Sequence, residues 1–275
     1  MARYFLNNYP CSTNFLILLY FFILLKCCQS FNPKLMNATI MYNKFNGDNW
    51  SPAGSTWYGP PRGAGSDGGA CGYKEAVGRP PFSAMISAGG PSIYQSGQGC
   101  GMCYQVKCTS NAACSGKPVR VTITDECPEC RSEAFHFDLS GSAFGAMAKP
   151  GLEDQLRNAG VVPIQFTKVK CNYPGVTITI NVDPGSNPYY FAAVLEYEDG
   201  LGIAKVEIQP HSGGWRSMAE SHGATYAINP GYVLQAPFSL RLTEKDSGKT
   251  LVLDSVIPVG WKPGQIYRSR VNFNN

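Results

Sequence analysis

The clearest alternation of apolar and polar residues in the chain lies between Val119 and Asp138. Val119, Val121 and Ile123 alternate with Arg120, Thr122 and Thr124, the period-2 pattern of a half-buried strand that ends at Asp125. A cysteine-flanked turn follows, and a second short strand carries His136, Phe137 and Asp138. If these two strands pair, Asp125 and Asp138 meet at one end of a sheet. Two carboxylates facing one groove is the arrangement that glycoside chemistry uses. Local sequence also allows a structural alternative, in which Asp125 opens the turn and Asp138 caps the amides of Ser140 or Gly141.

The same pattern predicts a strand over Tyr104–Lys107, and an alternating stretch from Pro163 to Lys170 that runs to Cys171. Ala143–Ala148 and Leu152–Ala159 read as short helices, the second ended by Gly160. Beyond Cys171 the character changes. Val176–Val182 alternates and could belong to either side of a boundary. Tyr189–Tyr197, Ile203–Gln209, Phe238–Glu244, Thr250–Ile257 and Ile266–Phe273 read as strands, separated by turn signals such as Asp199-Gly200 and Asp246-Ser-Gly248. Short strands without helices predict a β-sandwich of about ninety residues. The division expected is 1–30 leader, 31–50 N-terminal extension, 51–173 first domain, 174–185 linker and 186–272 second domain.

Glycine density between Gly63 and Tyr73 indicates turns and close backbone approach. No G-x-x-x-x-G-K-[ST] occurs there, so a phosphate loop is not supported. Thr56, Tyr58, Asp67 and Tyr73 are polar or amphipathic groups on or beside this constrained segment, suited to lining a sugar groove.

At the N-terminus, Phe15–Leu25 is continuously apolar but too short to span a bilayer, and Cys28-Gln29-Ser30 offers small residues to a signal peptidase. A secretory leader cut after Ser30 is expected, leaving an exported chain with no transmembrane span. Removing Arg3 and Lys26 with the leader leaves 21 basic against 19 acidic residues. That balance, with no basic run, argues against nucleic acid and other electrostatic partners. A charged fraction of 15% with 30 Gly, 20 Pro and 15 Tyr suits a turn-rich, secreted β protein. Asn37-Ala-Thr and Asn49-Trp-Ser are glycosylation sequons, and Asn37 is the better candidate because Pro52 follows the second.

Cys11, Cys27 and Cys28 fall in the leader. The remaining eight, Cys71, Cys100, Cys103, Cys108, Cys114, Cys127, Cys130 and Cys171, all precede the second domain. In a reducing compartment the two C-x-x-C pairs, Cys100/Cys103 and Cys127/Cys130, would suit zinc. In an exported chain the even number reads instead as four disulfides, whose connectivity spacing does not assign.

Together the motifs resemble a family. Thr56-Trp-Tyr-Gly59, Gly63-Ala-Gly-Ser-Asp-Gly-Gly-Ala-Cys-Gly-Tyr73, Thr124-Asp125, His136-Phe-Asp-Leu-Ser-Gly141 and Ala143-Phe-Gly145 resemble the plant expansins. Gly-Ala-Gly-Ser-Asp with Val256-Ile-Pro258 and Trp261 is similar to the β-expansin branch, which includes the group-1 grass pollen allergens.

The resemblance implies a mainly β protein. It would have a six-stranded double-psi β-barrel related to family-45 endoglucanases, followed by a carbohydrate-binding β-sandwich, with one groove crossing both. It implies a monomeric protein of the plant cell wall that loosens non-covalent contacts between cellulose and xylan-type matrix glycans without hydrolysis, needing no cofactor or metal. It implies the pairs Cys71–Cys100, Cys103–Cys171 and Cys108–Cys114, leaving Cys127 with Cys130.

Asp138 matches the general acid of related hydrolases. Thr56, Tyr58, Asp67 and Asp125 match groove residues, and Tyr190 and Tyr226 match sugar-contacting positions of the second domain. His222 and Tyr226 stand where many relatives carry Trp. The alternatives are a glycoside hydrolase with Asp138 as acid and Asp125, Asp67, Glu126 or Glu129 as base, or a wall-binding protein that does not loosen. His136 is expected as a hydrogen-bonded strand residue rather than a ligand.

Overall fold

The computed structural model describes residues 49–274. The expected leader, most of the extension, Asn37 and the three leader cysteines lie outside them.

Six strands close into a barrel: β1 (Ser51–Tyr58), β2 (Ile86–Gly89), β3 (Cys103–Cys108), β4 (Val119–Glu126), β5 (His136–Ser140) and β6 (Val162–Val169), in the spatial order β1-β5-β2-β4-β3-β6. Two neighbouring pairs, β1 with β5 and β2 with β4, are parallel, and the rest are antiparallel. Alternation along β4 holds only at its start: Val121 and Ile123 are fully buried and Arg120 is exposed, but Thr122 and Thr124, expected on a polar face, are also buried because both faces of the strand are covered there. The barrel interior is aromatic. Phe166 lies 5.1 Å from both Phe135 and Phe137, and Tyr104 packs edge-on against Phe137 at 5.3 Å. Such offset and edge contacts add to the area these rings bury.

Three short α-helices accompany the barrel: α1 (Pro91–Tyr94), α2 (Gly141–Ala146) and α3 (Glu153–Asn158). Ser140 caps α2 by accepting the Ala143 amide at 3.0 Å, so this helix start is satisfied without Asp138.

Eight further strands form the second unit: β7 (Thr179–Val182), β8 (Phe191–Glu196), β9 (Ile203–Gln209), β10 (Arg216–His222), β11 (Thr225–Ile228), β12 (Phe238–Glu244), β13 (Thr250–Ile257) and β14 (Ile266–Arg268), in the order β13-β12-β9-β10-β11-β8-β7-β14. β10 changes partner midway. Arg216–Met218 pairs with β9, and Ala219–His222 pairs with β11 across a bulge. The sheet thereby folds into two layers over a core that includes Phe191, Phe238, Leu240 and Ile180. β7, left between the two domains by its sequence, pairs with β8 and β14 inside this second sheet.

Four disulfides join Cys71–Cys100, Cys103–Cys171, Cys108–Cys114 and Cys127–Cys130. The first two belong to a third apolar cluster, with Tyr73, Phe82, Tyr173, Tyr197 and Ala224, which lies where the two units meet. Backbone bonds tie the same seam: Ala224 N donates to Cys71 O at 3.1 Å, and Cys171 N to Gly200 O at 2.8 Å. Among the described residues no helix is long and apolar enough to cross a membrane.

Candidate functional site

The barrel places four residues in one row across adjacent strands. Thr56 on β1 is in register with Asp138 on β5, Asp138 with Ala88 on β2, and Ala88 with Asp125 on β4. This corrects the expected pairing of the two carboxylate strands. β4 and β5 do not touch as neighbours, because β2 lies between them. The backbones of Asp125 and Asp138 are therefore two strand spacings apart, about 10 Å, and Ala88, itself buried, puts only a methyl group between them.

Each carboxylate is engaged differently. Asp138 accepts a hydrogen bond from the Thr56 hydroxyl at 2.6 Å, and that hydroxyl lies 3.0 Å from His136 Nε2. Burial raises the Asp138 pKa, as does the negative Asp125, while the Thr56 hydrogen bond and His136 pull the other way. Asp125 Oδ1 accepts the amides of Ala70 at 2.7 Å and Glu126 at 2.8 Å. It therefore both opens the turn after β4 and anchors the glycine-rich loop.

Tyr58 follows Thr56 by two residues and shares its face. Its hydroxyl is buried without a hydrogen-bond partner of good geometry. Burial, then the charges of Asp125 and Asp138, push its pKa well above the usual tyrosine value. The loop reaches this ring only because Gly65 has no side chain: its φ is +80°, and a Cβ there would collide with the Tyr58 ring. Asp67 stands exposed at the outer turn of the same loop.

The loop then runs to the second unit. Gly72 and Lys74 face Asn181, Asp183, Val194, His222 and Thr225 across a cleft of about 50 Å³. His222 is exposed here, with Nε2 3.3 Å from Thr225 Oγ1. Tyr226 is not on this surface. It is 8% exposed and belongs to the sandwich core, in register with Ala193 on the core-facing side of β8. At this exposure its ring is not the open stacking platform expected, and the part left uncovered lines a small cleft with Tyr73, Gly97 and Glu198. Tyr190 is half-buried just before β8, and its neighbour Tyr189 is 55% exposed. A larger pocket of about 540 Å³, walled by Pro188, Leu234, Val259 and Trp261, opens on the second unit. Of the residues singled out in the sequence only Trp261 lines it, and none of the candidate polysaccharide-binding residues does.

Comparison with known proteins covers most of the chain. Residues 86–166 match the family described as lytic transglycolase, and residues 178–258 match the expansin C-terminal domain. Expansin-B11 of Oryza sativa subsp. japonica is 56% identical over 82% of this chain and 78% of its own length. Expansin-B4 of Arabidopsis thaliana is 54% identical over 80% of this chain and 86% of its own. The chain belongs to the plant β-expansins. The barrel is accordingly the double-psi β-barrel of that family, and the protein is a cell-wall loosening protein. A solved Clavibacter michiganensis expansin shares the fold with a TM-score of 0.63 and 24% identity, over 82% of this chain and 98% of that one. A variant of that bacterial protein, solved in complex with cellohexaose, has a TM-score of 0.64.

Among the described residues no cluster of three His, Cys, Asp or Glu side chains could hold a metal. Sequence reasoning did not single out Ala88, whose smallness matters only once β2 is known to run between the aspartates. It also gave no part to Glu133, which the fold brings to within 4.0 Å of His136 Nδ1.

Proposed function

We propose that this β-expansin loosens cell walls without hydrolysis, by holding a glucan segment along the row Thr56–Asp138–Ala88–Asp125 and the loop beside it. The observation that carries the reading is the unequal use of the two aspartates. An inverting glycosidase needs an acid and a base with a water between them, and a retaining one an acid and a nucleophile. Here Asp138 has an acid's environment, while Asp125 Oδ1 is committed to the amides of Ala70 and Glu126. Asp125 thus holds the loop that shapes the groove, and Asp138 is left to exchange hydrogen bonds with sugar hydroxyls. Repeated capture of this kind displaces a chain from its neighbours without breaking it.

In this reading Tyr58 supplies an aromatic edge within the groove, Asp67 a polar contact at its rim and Tyr190 a contact on the second domain. The polymers are cellulose and xylan-type matrix glycans. The bacterial relative's complex with cellohexaose supports the first. The protein is exported to the wall through its leader, carries a glycan at Asn37 and acts as a monomer without cofactor.

The test is constant-load extension of heat-inactivated plant walls by purified mature protein, with soluble sugar assayed in the same tube. Extension without sugar release, abolished in Asp138→Asn, supports the proposal. Sugar release that disappears with Asp138 makes the protein a hydrolase. Binding to cellulose or xylan without extension makes it a wall-binding protein only.

A further inference from the structure

Beneath the groove, four polar side chains follow one another in a line. Glu133 Oε2 lies 4.0 Å from His136 Nδ1, His136 Nε2 lies 3.0 Å from Thr56 Oγ1, and Thr56 Oγ1 lies 2.6 Å from Asp138 Oδ1. His136 is 6% exposed, and its Nδ1 has no hydrogen-bond partner. Such a buried, unsatisfied ring nitrogen is uncommon and costs free energy unless it serves something. The Glu133 carboxylate reaches the ring because β1 carries Gly54 at that point, where any Cβ would overlap the carboxylate. One strand thus gives up a side chain to admit the acid, and two residues later supplies the hydroxyl at the other end of the ring.

We propose that His136 and Asp138 share a single proton through the Thr56 hydroxyl, making His136 a positioning residue for the charge of the groove carboxylate. This rests on the reading of Asp138 as the residue that meets the glucan. The protons balance as follows. With Asp138 ionised and His136 neutral, Nε2–H donates to Thr56 Oγ1, and Thr56 O–H donates to Asp138 Oδ1. One added proton has two homes. On Nδ1 it makes an imidazolium facing Glu133, with Asp138 still ionised. Alternatively, the Thr56 proton passes to Asp138 Oδ1 as the Nε2 proton passes to Thr56 Oγ1, leaving a neutral Nδ1–H imidazole and a neutral Asp138. The two arrangements differ by two short transfers along bonds already present, so the pair titrates as a unit. The other groups bearing on Asp138 are Tyr58 from the same strand as Thr56 and Asp125 from β4. β2 presents no charged group there, only Ala88 and the Ser87 hydroxyl, which donates to the Asp138 carbonyl at 3.1 Å.

The experiment is a pH series by NMR on the whole mature protein, without polysaccharide, labelled with carboxyl-¹³C aspartate and ¹⁵N histidine. The expected result is that His136 Nδ1 gains its proton in the same step that moves the Asp138 carboxyl carbon. In Thr56→Val the two signals separate, and the Asp138 step moves to higher pH because its ionised form has lost a donor. Thr56→Ser restores both. A His136 Nδ1 that stays unprotonated through the Asp138 step, or two signals that stay together in Thr56→Val, overturns the relay. Should Thr56→Val not fold, wild type and Thr56→Ser decide: separate steps in either one overturn it. Because no wall is present, this outcome is independent of whether Asp138→Asn abolishes loosening.

Discussion

Asp125 Oδ1 stands 2.7 Å from the amide nitrogen of Ala70, fifty-five residues earlier in the chain, and this bond ties the glycine-rich loop to the end of β4. The next residue, Cys71, repeats the attachment through its amide to Thr124 O at 3.2 Å and is bonded to Cys100. Replacing Asp125 with Ala leaves the half-buried Ala70 amide without its acceptor. A loss of about 1–3 kcal/mol is expected for such an orphaned donor, together with faster proteolysis within residues 59–72. Asp125→Asn, which keeps an acceptor oxygen, should recover most of the stability. Thermal melts and limited proteolysis of both variants check this. An unchanged melt for Asp125→Ala would show that the loop is held by other contacts.

Mild acid should stabilise this protein relative to neutral pH. Burial pushes the Glu196 pKa up to about 7 from its ordinary 4.5, and burial also raises Glu198, neither of whose carboxylate oxygens has a hydrogen-bond partner. Both groups hold a proton more tightly folded than unfolded. Their contribution to stability is therefore greatest below the ordinary carboxylate value and falls as the pH rises, whereas Glu207, held down to about 2 by its bonds to Arg241 and Lys205, loses its own contribution below 4.5. For Glu196 the window runs from 4.5 to about 7, and the shift corresponds to on the order of 3 kcal/mol. Melting temperature should fall across this window in the wild type. The slope should flatten in Glu196→Gln, and Glu198→Gln should be more stable than wild type at neutral pH. A pH-independent melt in the wild type would mean these groups do not change protonation on unfolding.

Much of the fold was legible because apolar residues alternate where one strand face is buried. Val119–Ile123, Pro163–Lys170 and the strands around Phe191, Ile208 and Leu240 are legible on this ground. β1 is not, because its inward positions begin Ser51, Ala53 and Ser55, small or polar residues that carry no hydrophobic period. β10 and β11 were missed for a related reason. β10 exposes every residue but Met218, and the handover between layers interrupts its pattern. The row of groove residues could not be read from local sequence, since it joins four strands whose order, β1-β5-β2-β4, is set by crossovers. The burial of Tyr226 follows from β11 pairing with β8, which also lay outside the reading.

The Cys71–Cys100 disulfide closes a loop of sequence separation 29, with Cys71 fully buried and Cys100 partly buried beside Tyr73 and Ala224, where barrel and sandwich meet. Its removal should loosen both the groove loop and the seam. The double variant Cys71→Ser/Cys100→Ser is expected to lose about 3 kcal/mol by the chain-entropy account. It should also lose wall extension at temperatures where it remains folded. Denaturant melts and extension assays at two temperatures separate these effects. Full extension activity from a folded double variant would show that the loop keeps its place without the crosslink.

The two tyrosines matched to sugar-contacting positions should behave in opposite ways. Tyr226 is 8% exposed and packs within the sandwich core, so truncation leaves a cavity there. Tyr226→Ala is expected to lose about 3 kcal/mol or more, as aromatic-to-alanine changes in cores do, and any loss of polysaccharide binding should track unfolding. Tyr190 is half-buried at the start of β8. Tyr190→Ala should cost little stability yet lower retention on cellulose, because a ring at the surface contributes contact area to a ligand. Melting curves and cellulose pull-downs on both variants decide the matter. A Tyr226→Ala protein that melts like wild type but no longer binds would return Tyr226 to the binding surface, and would mean that the sandwich opens at β11 to expose it.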